Sequence, residues 1–433
     1  MRAWFTSLDG GDQLRQRVLD VLTSAADRSA ASRVDVHIMT FSFTDPAIAD
    51  LLARLVARSP NLRVRVIADW SQGAPSDQRQ VARLAASAGD RLLVRYKLDQ
   101  PYVWDAEHGR LRWSYRASRG LLHHKTLATF VDGEPLELVC GSFNWTGRAA
   151  ASYENLLVLG HDEPGGAEVM RAVELEFEAL WSDGRLTVTP AEAVAHHRAI
   201  LEQYRTDPLV PPELVTGLGA GRDDPLSIMS PTEPARDGTG ARPLTVAFSS
   251  RGAHEPSGGR GYAPANANRS LLLHKPGGSR TRAPLDLTTA ALDVLAAARG
   301  GDELHVAMYG LSRRVPEYNA LLSAARRGVS LHVLLDGRIG ASVLRHLART
   351  AAKEGLPVQV RAGRRTMHQK YVVHRASSTV LVGTANLSTD ASRRHSEHLL
   401  VARGDDALVD RFLADFGTIW ERLPGPGTTA RAR

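Results

Sequence analysis

The chain carries one pattern of polar residues twice, and this duplication limits the folds that it can adopt. Each copy contains a His and a Lys two positions apart, an apolar run, a turn of small residues ending in Asn, and then a Glu. A chain built from two copies of one unit is expected to fold as two similar lobes. The first copy consists of His123, Lys125, Asn144 and Glu154, and the second consists of His368, Lys370, Asn386 and Glu397.

The segments before the two polar patterns also correspond. Residues 34–43 and 303–311 are apolar runs typical of buried strands, and a helical pattern follows each of them. A second strand pattern comes next, and it ends at Asp69 in the first copy and at Asp336 in the second. Strands that alternate with helices predict an α/β fold class, with a mixed sheet and covering helices in each lobe. Two lobes related by a pseudo-twofold would bring both His-x-Lys strands to one cleft.

Composition divides the chain into two lobes, a linker and a tail. Residues 1–205 are predicted to form the N-terminal lobe and residues 244–425 the C-terminal lobe. Residues 206–243 are rich in Pro, Gly, Asp and Thr, which is typical of a linker. Residues 426–433 are predicted to be a basic tail. A further irregular stretch, 252–284, interrupts the second copy after its first strand.

The charge balance favours a polyanionic partner. The chain has 433 residues and a formal net charge of +7, with a pI near 9.7. Such a charge attracts nucleic acid, nucleotides or anionic lipid head groups. The signal is a general one, because a composition rich in Arg and poor in Lys is also typical of GC-rich coding sequences.

Cysteine usage and hydropathy favour a cytoplasmic protein. The single cysteine, Cys140, excludes an intrachain disulfide and gives no basis for a Cys-ligated metal. The N-terminus lacks the long apolar core of a signal peptide, and no apolar stretch approaches the ~20 residues that span a bilayer. We therefore expect a cytoplasmic location, no transmembrane segment, and a monomer with an internal pseudo-twofold, while an oligomer stays open.

The doubled set of imidazole, ammonium and amide groups suits one reaction above others. Together these groups can bind a phosphodiester, with one imidazole attacking phosphorus and the other protonating the leaving group. One imidazole must start neutral and the other protonated, which neighbouring carboxylates can arrange. No cluster of acidic residues has the spacing of a metal site, so the sequence predicts neither a metal nor another cofactor.

The order of these motifs resembles that of the phospholipase D superfamily, whose pattern is H-x-K-x4-D followed by a G-S/T/G-x-N turn, usually present twice. The turns here are GSFN at 141–144 and GTAN at 383–386, and the resemblance covers most of the chain. The chain departs from the pattern at the Asp, where Phe130 and Arg375 stand. Asp132 lies two residues beyond the first of these positions and could substitute through a bulge.

The resemblance implies two phospholipase D-like α/β lobes and a metal-independent hydrolase that cleaves phosphodiesters through a phosphohistidine. In the family the His of the first copy is more often the nucleophile. His123 is therefore assigned that role and His368 the role of acid, while the reverse assignment stays open. A degenerate enzyme that keeps only the fold is the alternative, and the presence of both His, both Lys and both Asn argues against it.

The other motif residues are expected to bind the phosphate or to position the groups that do. The two Lys and the two Asn would contact its oxygens, and Ser142 and Thr384 would add a hydroxyl bond or cap the following helix. Glu154 and Glu397 would each accept from the opposing His and fix its tautomer. His124, which directly follows the nucleophile, should point to the other side of the strand.

A segment between Asp69 and His123 is longer than its counterpart in the second copy. It interleaves aromatic residues with arginines, including Trp104, Arg112 and Trp113. Such a surface can stack bases and pair with phosphates, as in the binding of single-stranded nucleic acid. The alternative is that these aromatic side chains anchor a surface loop or pack on the lobe.

Three substrate classes remain after the sequence has been considered. Nucleic acid is favoured by the basic charge and by the insertion, and the sequence around the GSFN turn resembles that of the nuclease-like branch. A phospholipase or phosphatidyltransferase acting on lipid head groups is the second class. The third is a specialised phosphoryl-transfer or ligand-binding protein that recognises a small phosphorylated metabolite.

His37 and His305, at corresponding places in the repeat, are interpreted as buried strand positions and not as ligands.

Overall fold

The structure is a computed structural model. It describes residues 1–69, 79–86, 89–97, 102–105, 110–113, 121–182, 187–195, 243–249, 287–363, 365–393 and 395–423. The predicted linker at 206–243, apart from its last residue, lies outside the described residues, as do the stretch at 252–284 and the tail at 426–433. Among the described helices, none combines the length and the apolar character needed to cross a membrane.

The first lobe alternates strands and helices up to a long helix that ends the repeat. Its elements are β1 (Arg2–Phe5), α1 (Gly11–Arg28), β2 (Val34–Thr40), α2 (Pro46–Arg58), β3 (Leu62–Asp69), α3 (Arg79–Ala86), β4 (Leu92–Lys97), β5 (Tyr102–Asp105), β6 (Arg110–Trp113), β7 (Lys125–Val131), β8 (Glu134–Gly141), β9 (Asn155–Gly160), α4 (Gly166–Ser182) and β10 (Thr187–Val188). The start of α2 follows from its sequence, because the Asp45 carboxylate accepts from the backbone N of Ala47 and Pro46 occupies the first turn.

The second lobe repeats this order. Its elements are β11 (Leu244–Phe248), α5 (Leu287–Ala297), β12 (Glu303–Met308), α6 (Pro316–Arg326), β13 (Ser330–Asp336), α7 (Ala341–Glu354), β14 (Val358–Gly363), β15 (Lys370–His374), β16 (Thr379–Gly383), α8 (Thr389–Arg393), β17 (His398–Arg403) and α9 (Asp406–Glu421).

Each lobe contains one mixed sheet, and the two sheets have corresponding strand orders. The first is ordered β1-β9-β8-β7-β2-β3-β4-β10 and the second β11-β17-β16-β15-β12-β13-β14. In both, three strands run parallel and the strand that follows the His-x-Lys motif joins them antiparallel. The expected α/β class with two mixed-sheet lobes is therefore confirmed. Strands β5 and β6 form a separate antiparallel hairpin within the insertion of the first lobe.

The two lobes share one apolar core. One cluster of buried residues includes Phe5 and Phe177 from the first lobe and Tyr371 and Phe412 from the second. The Phe412 ring packs edge-on against Phe5, with ring centroids 4.8 Å apart, and against Tyr371 at 4.9 Å. Full burial of an aromatic side chain of this size stabilises the folded state by about 1.5–3 kcal/mol. The apolar contacts that join the lobes therefore also fix the cleft between them.

Two short parallel bridges cross the cleft and determine which residues meet there. Leu122 pairs with Ser396, and Tyr153 pairs with Met367. Across the first bridge the backbone N of His123 donates to the carbonyl of Ser396 at 2.9 Å, and across the second the backbone N of His368 donates to that of Tyr153 at 3.0 Å. Each His-x-Lys segment is thus joined to the segment of the other lobe that carries the Glu.

Candidate active site

The two catalytic histidines predicted from the sequence lie in the same cleft. His123 and His368 each stand two residues before the Lys that begins β7 or β15. Their ring centroids are 6.3 Å apart and the ring planes meet at 77°. Side chains two positions apart on an extended chain share a face, so Lys125 and Lys370 lie on the same side as their histidines. The duplicated motif thus forms one site.

Each histidine is paired with a carboxylate from the other lobe. His123 Nδ1 lies 2.8 Å from Glu397 Oε2, and His368 Nδ1 lies 2.9 Å from Glu154 Oε2. The bridges described above produce this crossed pairing, because they place each Glu directly beside the opposite His-x-Lys segment. With Nδ1 facing a carboxylate, Nε2 is the ring nitrogen that each histidine can offer to a substrate.

The two lysines are held by the backbone of their own motifs. Lys125 Nζ donates to the carbonyl of His123 at 2.7 Å, and Lys370 Nζ donates to the carbonyl of His368. Both ammonium groups also lie over an aromatic ring, with Lys125 Nζ 5.3 Å from the Phe41 centroid and Lys370 Nζ 5.3 Å from that of Tyr309. Such cation–π contacts favour the charged form of a lysine. The sequence analysis did not identify either aromatic residue.

Burial and mutual repulsion weaken the positive charge of this site. Burial, together with Lys370, lowers the pKa of Lys125 to about 7, and burial lowers the pKa of Lys370 to about 8. Burial and the two lysines hold the pKa of His123 well below its usual value. A negative charge bound among these groups would stabilise their charged forms. The electrostatics of the site therefore favour an anionic ligand.

The two histidines differ in how their carboxylates act on them. Burial lowers the pKa of His368, and the charge of Glu154 opposes this effect. For His123 the causes after burial are all positive groups, and burial raises the pKa of its partner Glu397. His368 therefore keeps its proton more readily than His123.

The two asparagines occupy corresponding turns after β8 and β16. Asn386 Oδ1 accepts from the backbone N of Gly310 at 2.9 Å, which leaves its amide NH₂ to donate elsewhere. Asn144 Oδ1 is buried and has no hydrogen-bond partner among the described residues. The amide of Asn386 is thus fixed by the backbone, whereas the amide of Asn144 is not fixed through its oxygen.

Ser142 and Thr384 position the carboxylate segments. The Ser142 hydroxyl accepts from the backbone N of Asn155 at 2.9 Å, and the Thr384 hydroxyl accepts from that of His398 at 3.0 Å. Asn155 and His398 directly follow the two site glutamates. The hydroxyls are fully buried, and their bonds hold the backbone from which each Glu reaches across the cleft.

The structure does not bring Asp132 to the site. Asp132 lies in the β7–β8 turn with φ 50°, and its Oδ1 accepts from the backbone N of Arg33 at 3.0 Å. Strand β7 separates it from Lys125 by about 20 Å, at ~3.3 Å per residue. The expected substitution through a bulge is therefore wrong. Phe130 is buried against the His37 ring at 5.0 Å, and Arg375 forms an ion pair with Asp410 at 2.6 Å.

Two other aspartates orient the motifs, and the sequence analysis gave them no role. Asp69 Oδ2 accepts from the backbone N of Leu122 at 2.9 Å, and Asp336 Oδ2 accepts from that of Met367 at 3.1 Å. Leu122 and Met367 immediately precede the catalytic histidines. The sequence signal was present, since the two aspartates end corresponding strands, but it did not reveal which backbone they would contact.

A third imidazole, which the sequence analysis also missed, stands beside His123. The His395 ring centroid lies 6.3 Å from that of His123, and its Nδ1 accepts from the backbone N of Leu121 at 3.0 Å. The corresponding residue of the first lobe is Ser152. His124, by contrast, is fully buried below the site, where its Nδ1 lies 3.0 Å from His398 Nδ1.

The predicted strand-binding residues lie on the separate hairpin. Trp104 is part of β5, and Arg112 and Trp113 are part of β6. The structure describes only the backbone of this hairpin, so the stacking of bases on these side chains stays a prediction.

The chain is similar to known proteins over most of its length. A family model described as "Cardiolipin synthase, PLD-like domain" matches residues 27–181 and 292–420. The comparison with curated proteins found no match. Phosphatidylserine synthase from Haemophilus influenzae has a similar structure, with 12% identity, a TM-score of 0.54, and coverage of 94% of this chain and 86% of that chain. Nuc from Salmonella typhimurium, a phospholipase D family member, has 18% identity and a TM-score of 0.29, over 42% of this chain and 96% of its own.

Both segments matched by the family model carry the polar pattern that forms one half of the site. Because these segments together span more than half of the chain, the chain belongs to the phospholipase D superfamily, whose members are phosphoryl-transfer enzymes.

Proposed function

We propose that this protein is a phosphodiesterase that acts through a covalent phosphohistidine at His123 and needs no metal ion for catalysis. The observation that carries the proposal is the crossed pairing of two imidazoles with two carboxylates, with the rings 6.3 Å apart and two buried lysines beside them. A phosphodiester between the rings would meet a nucleophile on one side and an acid on the other.

In the first step Nε2 of neutral His123 attacks phosphorus, and the bond from phosphorus to the leaving oxygen breaks. His368 donates its Nε2 proton to that oxygen, and the product alcohol leaves. In the second step neutral His368 takes a proton from water while the water oxygen attacks phosphorus. The P–N bond then breaks and releases the phosphomonoester and His123. The lower pKa of His123 and the effect of Glu154 on His368 support this assignment of roles.

Lysines and asparagines would stabilise the charge on the phosphate oxygens. An anion bound beside Lys125 and Lys370 would favour their charged forms, since burial lowers the pKa of both and the charge of Lys370 further lowers that of Lys125. The Asn386 amide, fixed through Gly310, would donate to a non-bridging oxygen. Metal is not needed to offset that charge, because these groups already supply cations and donors.

We favour nucleic acid as the substrate class. The net charge of +7 and the hairpin that carries Trp104, Arg112 and Trp113 support this choice. Lipid head groups are the second candidate, favoured by the family model described as cardiolipin synthase. Transfer to an alcohol in place of water would use the same two steps, because the alcohol only replaces water as the second nucleophile.

The test is an activity panel in EDTA, with single-stranded DNA, RNA, duplex DNA, phosphatidylcholine and bis-nitrophenyl phosphate as substrates. Hydrolysis of a diester in EDTA supports the chemistry, whereas a loss of activity restored by Mg²⁺ contradicts it. The substrate class is tested by measuring the fluorescence anisotropy of a labelled oligonucleotide across a salt series. Nucleic-acid affinity should fall steeply with salt, because each neutralised phosphate of a single strand contributes ~0.7 to the slope of log K against log salt concentration. Replacing Trp104 and Trp113 by Ala should weaken binding by ~1–3 kcal/mol per stacked base, and unchanged affinity would favour lipid.

A further inference from the structure

A second group of polar side chains lies at the far end of the second sheet from the cleft. It consists of Glu303 and His305 on β12 and His332 on β13, and we call it the β12–β13 cluster. His305 and His332 are paired across the parallel strands, and their rings stack at 4.8 Å with an angle of 10°. One ligand atom from each of the three residues lies within 4.8 Å of the other two. The cluster stands at the start of β12, while the active site follows its end.

The corresponding position in the first lobe is occupied by a positive charge. There His37 on β2 pairs with Arg65 on β3, in the same register as His305 with His332. An Arg65 nitrogen lies 2.7 Å from His37 Nε2, and the Arg65 guanidinium also forms an ion pair with Glu178. The imidazole and carboxylate of the first lobe therefore hold a cation between them.

The second lobe keeps the imidazole and lacks the guanidinium. Its counterpart of Arg65 is His332, which can donate a lone pair to a cation. The counterpart of Glu178 is Gly417, which follows Phe416 as Glu178 follows Phe177, and a Cβ added at Gly417 would meet nothing within 4 Å. The carboxylate now comes from Glu303, whose Oε2 lies 3.9 Å from His305 Nε2. Two imidazoles and a carboxylate thus lie together in the second lobe, where the first lobe pairs an imidazole with a guanidinium.

We propose that the β12–β13 cluster binds a zinc ion through His305, His332 and Glu303, with water as the fourth ligand. Two imidazoles and one carboxylate are a ligand set that suits Zn²⁺. Bonds of about 2.0–2.2 Å require ligand atoms about 3.3 Å apart in a tetrahedron. The Glu303 side chain, which is 57% exposed, can move closer. The two imidazole planes, which are 10° apart in the stack, must also turn so that each contains the ion. Nε2 of His305 is the ligand nitrogen, because the equivalent nitrogen of His37 meets the guanidinium.

Two aromatic rings and two guanidinium groups border the imidazoles and affect the strength of the site. Phe416 packs edge-on against His305 at 5.0 Å, and Trp420 packs against His332 at 5.7 Å. Arg361, which lies over the Trp420 ring, and Arg375, which pairs with Asp410, add positive charge near the cluster. That charge weakens the binding of a cation, so we expect a modest affinity. The site would act apart from catalysis, because His305 stands four residues before Tyr309, or about 13 Å along the strand from the cleft.

The experiment titrates the full chain, stripped with EDTA and dialysed, with ZnCl₂ in a calorimeter. Wild type should bind zinc at this site, and His332→Arg should lose it because the guanidinium of the first lobe is put back. Glu303→Gln should weaken binding at least ~10-fold, which is the lower limit even for loss of an outer partner of a metal ligand. His346→Ala, which removes an imidazole elsewhere in the same lobe, is the matched control and should leave binding unchanged.

Two further readouts distinguish the cluster from other sites and from unfolding. Zinc held by the catalytic imidazoles would survive His332→Arg and be lost in His123→Asn, and that pattern would overturn the proposal. An absence of zinc binding by wild type would also overturn it. Thermal unfolding of each variant shows that it is folded, and diester hydrolysis by His332→Arg should equal that of wild type. The zinc titration does not depend on the proposed phosphodiesterase activity, because it measures the binding of the metal alone.

Discussion

The two lobes agree in the residues that would touch a phosphate and differ in the residues around them. Both supply a His, a Lys, an Asn and a Glu in the same geometry, and both fix the motif backbone with an aspartate at a strand end. Beside these, the first lobe has Phe41 and Ser152 where the second has Tyr309 and His395. The proposed mechanism gives the two histidines different tasks on one substrate, and these differences between the lobes would support it.

The largest effect should come from removing either catalytic imidazole. His123→Asn and His368→Asn should each lower kcat by ~10²–10⁴-fold, the usual contribution of a positioned acid or base. The double variant should be little slower than the slower single one, because the two groups act on one phosphorus as a unit. Single-turnover kinetics on a diester measures this. If the fold-losses of the two single variants multiply in the double variant, the two histidines do not act together on one phosphorus.

The pH dependence should distinguish the two lysines. A phosphate-binding lysine must be protonated, and burial and Lys370 lower the pKa of Lys125 to about 7. We therefore expect kcat/KM to fall as pH rises through 7, approaching about tenfold per unit above it. Lys125→Arg keeps its charge over this range and should move that fall towards the pKa of Lys370, about 8. A profile that stays flat up to pH 9 in wild type would contradict a role for Lys125.

The two glutamates should act differently on the pH profile. Glu154 raises the pKa of His368, so Glu154→Gln should shift the alkaline limb of kcat to lower pH. Glu397→Gln should lower the rate by loosening His123 and leave that limb in place. The alkaline limb reports the acid of the substrate complex, so the pair of profiles assigns the acid. If the alkaline limb of kcat shifts in Glu397→Gln and not in Glu154→Gln, His123 is the acid and His368 the nucleophile.

His395 offers a smaller and more specific test of the asymmetry. The positive form of His395 lowers the pKa of His123, and the first lobe has Ser152 in its place. His395→Ser should raise the pKa of His123, so the acidic limb of kcat/KM should move to higher pH with a rate loss below about tenfold. Ser152→Ala is the control and should change neither. An unshifted limb in His395→Ser would show that the third imidazole does not act on the nucleophile.

The smallest effect is expected at Asp132. Its carboxylate bonds to the backbone N of Arg33 in a surface turn, and loss of such a bond costs about 0.5–1.5 kcal/mol of unfolding free energy. Asp132→Ala should show this loss in urea unfolding and leave kcat unchanged. A strong loss of activity would restore Asp132 to the site.

The fold, and the meeting of the two motifs in one cleft, could be predicted from sequence because each depends on a local pattern. The apolar runs at 34–43 and 303–311 predicted buried strands, and the repeated order of elements predicted that the second lobe would resemble the first. The outcome at Asp132 could not be predicted, since its distance from Lys125 depends on how far β7 extends, and the irregularity between Thr129 and Phe130 does not bring it back to the site. His395 and Asp69 were missed for a related reason, because each reaches the site through a contact with backbone from a distant part of the chain.

The failure to predict the β12–β13 cluster has the same cause. His305 was interpreted as a buried strand position, and its neighbour His332 lies on the next parallel strand, beyond helix α6. Only the register of two strands brings them together, and sequence spacing does not determine register. The comparison with His37 and Arg65 became available only once both registers were known.

The crossed carboxylates make the site a reporter of how the halves of the chain associate. Each half alone has a histidine whose carboxylate partner belongs to the other half. In a half-molecule produced by itself, the histidine would therefore lack the carboxylate that fixes its tautomer, even if the half-molecule folds correctly. Two half-molecules mixed in solution could regain turnover only by docking, so their activity would serve as a complementation assay. For the same reason, a substitution of Glu154 or Glu397 in one copy would remove the carboxylate partner of the histidine in the other copy.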